Sequence, residues 1–488
     1  MTDLLSPTAP PASVVSRRSA KKRASNRAAL PVLLAGTCLI VLDFFIVNVA
    51  LASMQRELHA GTSAIEWVVA GYGLTFAVFL LAAGRLGDRI GRRRMFEAGT
   101  GVFTVASLLC GTAPNGEVLV LARLLQGVGG AMISPSVLAL IGTLFVGAER
   151  AKAIGVYATV MGVAAAGGQL VGGVLLQIDL FGLGWRSVFL LNVPVGVAIL
   201  AVVRRLVPES RDASAADVDV VGLILATAAL TTLVLPLVDG RAHGWPTWSI
   251  VSLAVAPVLL VDFVWWQRRL VRRGQQPLVD PGWFRDRTFA VGMVTQLAFW
   301  CGQASYFLVL ALYLQLGRGL SALESGLVFS ILAGAYLVAS MKAPALVMKH
   351  GRNVIVSGAL ALAVGHALMV ATARDDLVAL VPGLLLAGAG MGLCLAPITA
   401  TVLANVQPAR AGAVSGLLST MQQVGNAIGV AVIGVVFFGA ATHGVTHAFV
   451  LSTGVLAVLL VAVAVCARAL PGPKSASQAV PAPASSTA

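Results

Sequence analysis

The chain has 488 residues, 58% of them hydrophobic and 11% charged, and its mean hydropathy is +0.90. A water-soluble domain of this length does not have that composition, so the chain is read as a polytopic membrane protein. The formal charge of +14 does not point to nucleic acid, because the basic residues lie between apolar segments and form no continuous patch; they suit topology and contact with anionic lipid.

In chain order, Met1 to Arg27 is polar and basic, and the apolar run after it has no small-residue cleavage site, so it is read as a retained first helix. Apolar runs of membrane-crossing length predict spans near 30–52, 65–84, 95–113, 118–142, 152–177 and 187–207. Two more follow near 219–238 and 248–267, and then six near 289–314, 325–347, 354–373, 378–404, 413–440 and 447–467. The expected fold is all-α with fourteen transmembrane helices. It divides into a basic tail (1–28), a six-helix half (29–207), a linker with two inserted helices (208–270), a second six-helix half (271–470) and a disordered Pro, Ala and Ser-rich end (471–488).

The basic residues test this count. With both termini cytoplasmic, only Arg56, Arg186, Arg241, Arg318 and Arg374 fall on the outer face, and Arg123 alone falls in a span. A miscounted helix would invert that bias downstream of the error. The five cysteines, Cys38, Cys110, Cys301, Cys394 and Cys466, lie in apolar segments without paired spacing, so neither a disulfide framework nor a metal site is expected.

The stretch Gly84 to Arg94, GRLGDRIGRRR, joins the second and third spans. Gly84, Gly87 and Gly91 leave one helical stripe without side chains, where another helix can approach closely, and Asp88, within the basic cluster that includes Arg89, can pair with Arg92 or Arg93. KAPALVMKHGRNVIV, at Lys342 to Val356, has the same placement after the second span of the last six, a weak sign of two repeated halves with a site between them. The linker Pro208 to Asp219 mixes Glu209, Arg211, Asp212, Asp217 and Asp219, as a solvated connection would.

Ionisable groups deep in spans are few. Asp43, in LDFFIVNVAL, has no cation near it in sequence, so it either pairs with a cation of another helix or takes up a proton; a packing role is the alternative. Arg123, in LARLLQGVGGAMISP, stays charged and needs a carboxylate, carbonyls or water, or else braces helix ends near the surface. The fifth span carries Gly162, Gly167, Gly168, Gly172 and Gly173 around Gln169, which predicts close packing and a bend. Asn48, Tyr72, Gln126, Asn192, Gln296, Gln303, Gln423 and Asn426 are the polar candidates for lining a substrate cavity. Asp262, Lys342, His366 and Glu324 are read as interfacial or packing groups, which leaves the second half without a central acid.

Gly84 to Arg93 resembles the loop between the second and third helices of the major facilitator superfamily. LDFFIVNVAL, Arg123 with Gln126, Gly127, Gly129 and Gly130, WRSVFLLNVPVG at Trp185 to Gly196, GMGLCLAPITATVL at Gly390 to Leu403 and AGAVSGLLSTMQQVGNAIGVAV at Ala411 to Val432 together resemble its fourteen-span drug:proton antiporter branch. The resemblance implies that the chain has the major facilitator fold. It also implies a proton or substrate-cation site at Asp43, proton transfer at Arg123 and a latch at Gly84 to Arg93. Gly168-Gln169 stands where the branch carries Gly-Pro, and Ala52 where it carries a proline, so bending of the fifth helix needs another cause.

The expected function is export of amphipathic organic compounds, drugs or antibiotics, across the cytoplasmic membrane in exchange for protons. No cofactor is expected beyond the proton gradient; the expected partners are substrate, protons and membrane lipid, without nucleic acid, and the expected state is a monomer. The alternatives are a dedicated exporter of one metabolite or self-made antibiotic, or a solute carrier without proton coupling. An enzyme or receptor finds no support, because the sequence holds no paired histidines, no Ser/His/Asp set and no phosphate-cradling loop.

Overall fold

The structure is a computed structural model that describes residues 12–145, 147–211, 219–404 and 411–470. The expected disordered end 471–488, the first eleven residues of the basic tail, and Asp212, Asp217 and Arg410 lie outside the described residues. Among the described residues there is no strand. The helices are α1 (Ala12–Glu57), α2 (Thr62–Ile90), α3 (Arg92–Gly111), α4 (Gly116–Leu144), α5 (Gly147–Ile178) and α6, which with its short lead-in turns spans Gly184–Leu206. α7 (Val220–Ala242) and α8 (Thr247–Arg272) follow. The last six are α9 (Arg287–Leu312), α10 (Ala322–His350), α11 (Asn353–Thr372), α12 (Val381–Ala404), α13 (Ala411–Ala440) and α14 (Val445–Arg468).

Twelve of these helices are long and apolar enough to cross a membrane, and the bent α5 makes thirteen. The remaining position of the expected fourteen is α3, which opens with Arg92, Arg93, Arg94 and Glu97 and so has the least apolar run to offer. The chain is a multi-pass membrane protein whose helices alternate between the face carrying the Gly84 to Arg94 turn, called here the basic face, and the opposite face.

Local chemistry sets several helix ends. The Asn115 side chain accepts from Val118 N at 2.9 Å to open α4, Asp286 accepts from Thr288 N at 2.8 Å to open α9, and Ser321 with Glu324 forms a capping box at α10. Gly91 separates α2 from α3 with φ of 120°, and Gly351 takes φ of 56° at the turn after α10, the position to which the Lys342 to Val356 repeat assigns it.

The same packing scheme occurs twice. α1 packs on α5 as α9 packs on α13, α2 on α4 as α10 on α12, and α3 on α4 as α11 on α12. α6 closes the first set against α1 and α3, and α14 closes the second against α9 and α11. Between the sets, α2 meets α13 and α5 meets α10, the same pair of roles exchanged; α7 lies against α2 and α13.

Glycines mark where the two sets touch. A Cβ on Gly173 would lie 2.8 Å from Ala322 O, one on Gly326 2.8 Å from Gln169 O, and one on Gly434 2.5 Å from the Glu66 carboxylate. All three are toward the opposite face. Nearer the basic face the α5–α10 approach loosens, to 3.8 Å between the Gly162 position and Leu337, and Gly155 and Gly416 meet nothing within 4 Å. The α5–α10 seam is therefore tightest toward the opposite face.

Candidate functional site

Asp43 and Arg123, eighty residues apart, meet inside the first six-helix set. Arg123 is 1% exposed and Asp43 fully buried, and Nη1 of Arg123 donates to Oδ2 of Asp43 at 2.6 Å. The other carboxylate oxygen accepts from Gln126 Nε2 at 2.9 Å and from Asn192 Nδ2 at 2.7 Å. Gln126 lies one turn after Arg123 on α4, so both reach α1 together, while Asn192 arrives from α6. Ser107 of α3 accepts from Gln126 Nε2 at 2.8 Å and from Asn192 Nδ2 at 3.4 Å. Nε of Arg123 donates to Val68 O of α2 at 2.8 Å, Nη1 also to Gln126 Oε1 at 2.6 Å, and the guanidinium lies over the Tyr72 ring at 4.3 Å. Five helices thus converge on one carboxylate.

The arrangement satisfies Asp43 only as an anion, since every group that faces it donates. The pair lies close to the contact between the sets. Phe45, two residues from Asp43, packs edge-on to Phe307 of α9 with ring centroids 5.1 Å apart, and Gly73, next to Tyr72, lies against Ala427 and Gln423 of α13.

The structure corrects two cavity assignments. Gln126 and Asn192 do not line a cavity; they are 0% and 1% exposed and spend their amides on Asp43. Tyr72 serves the same centre through its ring; its hydroxyl and Asn48 Oδ1 on α1 have no hydrogen-bond partner among the described residues. In the second set, Asn426 donates to Gln423 at 2.9 Å, while Gln296 Oε1 and Asn426 Oδ1 are buried without partners among the described residues and Gln303 is 4% exposed. His366 is a packing group, with Nδ1 2.7 Å from Leu362 O and its ring 4.5 Å from that of Tyr306.

The fifth-helix glycines serve two neighbours. Gly168 and Gly172 face α1 at Phe45 and Ile46, Gly162 and Gly173 face α10, and a Cβ on Gly167 would meet nothing. The helix bends by 40° between Lys152–Ala165 and Gly167–Ile178, so the bend exists without the Gly-Pro pair. Gln169 is 2% exposed, with both amide atoms unpartnered among the described residues, at the seam with Gly326.

At the basic face, Gly84 and Gly87 admit Pro135 and Ser136 of α4, and Asp88 pairs with Arg92 at 2.7 Å. Arg89 belongs to the same turn. The grip comes from Glu209, which follows α6: its Oε1 accepts from Arg93 N at 3.1 Å and Ser210 N at 2.9 Å, and its Oε2 lies 3.6 Å from Arg93 Nε and 3.8 Å from Arg94 Nε. A Cβ on Gly91 would lie 2.7 Å from that carboxyl. Both ends of the linker read as solvated are thus engaged, for Asp219 accepts from Trp266 Nε1 at 2.9 Å and Gln267 Nε2 at 2.8 Å.

Sequence reasoning missed Ser107, Glu209 and Glu66. Glu209 carries a usable signal, an acid just past Arg204 and Arg205 at the end of a span. Glu66, fully buried, sits at the margin of the second span, where an acid reads as interfacial. Ser107 carries no signal, because only the α3–α4 approach brings it to Gln126.

The sequence model described as Major Facilitator Superfamily matches residues 33–430. The chain is 40% identical over 422 residues to "Probable actinorhodin transporter" of Streptomyces coelicolor, covering 84% of this chain and 72% of that one. It is 36% identical to "Multidrug resistance protein Stp" of Mycobacterium tuberculosis, over 84% and 76% of the two chains, and 38% identical to "Puromycin resistance protein pur8" of Streptomyces alboniger, over 86% and 84%. A solved structure described as "Crystal structure of a POT family transporter in complex with thioalcohol conjugated peptide" superposes with a TM-score of 0.65 at 15% identity, over 89% of this chain and 95% of that one.

Proposed function

This chain belongs to the major facilitator superfamily, and we propose that it is a proton-coupled antiporter exporting amphipathic drugs or antibiotics across the cytoplasmic membrane. The substrate class is taken from the relatives, which are named for actinorhodin, puromycin or multidrug resistance. The arginine bias of the short loops supports a cytoplasmic position for the basic face and both termini.

The observation that carries proton coupling is the buried Asp43–Arg123 pair, 2.6 Å long, tied to α2 through Val68 O and Tyr72. Protonation of Asp43 removes one charge and frees Arg123, which alters the hold on α2 and hence the α2–α13 seam. Each closed form is then favoured by one protonation state, as population shift requires. Because Arg123 already occupies Asp43, a cationic drug does not compete for the carboxylate directly; drug and proton are linked through the seam. Uptake of ethidium or another fluorescent drug by inverted vesicles under an imposed proton gradient tests this. An Asp43→Asn protein that still concentrates the drug with the native pH dependence rejects it.

The 40% identity to a protein named for actinorhodin favours a second reading, export of one chemical series. A resistance profile over many unrelated compounds separates the two, since a dedicated exporter protects against one series only.

A further inference from the structure

The inserted helix α8 is poorly covered by protein: 11% of its apolar window is buried. Val258, Val261 and Trp265 are 58%, 67% and 57% exposed and follow one another at spacings of three and four. The same spacing continues to Arg268 and Arg272, so one stripe of α8 runs from apolar to basic at the basic face. There the chain turns back through the short helical turn Pro281–Arg285. Between that turn and the end of α8 lies a cleft of about 390 Å³, lined by Arg268, Arg272, Arg285, Asp280, Val271 and Phe284.

The charges of the cleft are unbalanced. None of the three arginines has a carboxylate ion-pair partner among the described residues, and Asp280, which caps the turn through Gly282 N at 2.8 Å, offsets only one of the three positive charges. By helical spacing Asp262, seven residues before Arg269, falls on the Arg269 side of α8, off the stripe. The walls are braced: Gln267 Oε1 accepts from Val279 N at 3.2 Å, and Arg85 donates to Gln276 O at 3.1 Å and to Pro277 O. Guanidinium groups bind phosphate oxygens through paired N–H groups, and an apolar stripe directly above them suits acyl chains.

We propose that this cleft binds the phosphate headgroup of an anionic phospholipid, with its acyl chains laid along Val258, Val261 and Trp265. A phosphodiester supplies the missing negative charge, and its attachment to acyl chains accounts for the continuity of the basic and apolar parts. A zwitterionic headgroup brings its own cation into a cleft that already has three and is disfavoured.

The test uses the full-length protein purified in detergent, with dioleoyl phosphatidylglycerol or dioleoyl phosphatidylcholine added and bound lipid counted by native mass spectrometry. The native chain is expected to hold one phosphatidylglycerol that equimolar phosphatidylcholine does not displace. The variant Arg268→Gln/Arg272→Gln/Arg285→Gln is expected to bind it about a hundredfold more weakly, and Arg272→Gln alone about fivefold. The single variant serves if the triple one does not fold. Removing as much charge elsewhere on the same face, in Arg205→Gln/Lys349→Gln/Arg468→Gln, is expected to leave binding within about twofold. Equal retention by the cleft variants, equal loss in the control, equal binding of phosphatidylcholine, or release of the lipid by millimolar inorganic phosphate would each overturn the assignment.

Discussion

Replacing Asp43 by Asn keeps the shape of the buried centre and removes its negative charge. Arg123, 1% exposed, then holds an uncompensated guanidinium whose acceptors are Val68 O and Gln126 Oε1. The new amide also sets a donor against Gln126 or Asn192, both of which donate to Asp43 Oδ1. Removing one partner of a buried pair costs about 3–5 kcal/mol, and the two surviving acceptors place this case near the lower end, about 3 kcal/mol. Arg123→Gln combined with Asp43→Asn removes the stranded charge and is expected to recover about 1–2 kcal/mol of that loss, because both partners are then neutral. Thermal unfolding of the detergent-purified proteins measures this. The Asp43→Asn midpoint is expected several degrees below native, with the double variant between the two. If the two single substitutions lower the midpoint additively in the double variant, the side chains act independently and the reasoning fails.

Gly91→Ala forces an alanine to φ of 120° and a methyl to within 2.7 Å of the Glu209 carboxyl, so a loss of about 1–3 kcal/mol is expected, visible as a lower unfolding midpoint; an unchanged midpoint would mean that the turn accommodates a side chain. Glu209→Gln keeps the acceptor for Arg93 N but loses the charge facing Arg93 and Arg94, and is expected to reduce transport severalfold while drug binding, read by tryptophan quenching, stays near native. Gly173→Val places methyl groups within about 3 Å of Ala322 O and holds α5 away from α10 on the opposite face. In a cysteine-free background carrying Ser325→Cys, where Ser325 is fully buried, that change is expected to speed maleimide labelling at least tenfold; an unchanged rate would place the closure elsewhere.

The helices themselves were legible in the sequence. Spans, their order and the alternation of basic loops follow from apolar run length and charge, which are local properties that a bilayer enforces residue by residue. Asp43 and Arg123 stood out for the same reason, since a charge in an apolar span is costly wherever its partner lies. The turn at Gly91 was also readable, because its glycines and charges act within a few residues.

The tertiary structure alone decided how those parts combine. Sequence reasoning left open whether Asp43 is paired, and it assigned Gln126 and Asn192 to a cavity, because an amide in a span looks the same whether it faces substrate or a carboxylate of another helix. Ser107 joins the centre only because Gly99 and Gly129 let α3 and α4 approach until a Cβ on either would lie 3.0 Å from the other's carbonyl oxygen. Glu209 grips the Gly84 to Arg94 turn across more than a hundred residues of chain, a distance over which sequence carries no register. Periodicity and charge report what each segment needs from its surroundings; which segment meets that need depends on how the helices pack.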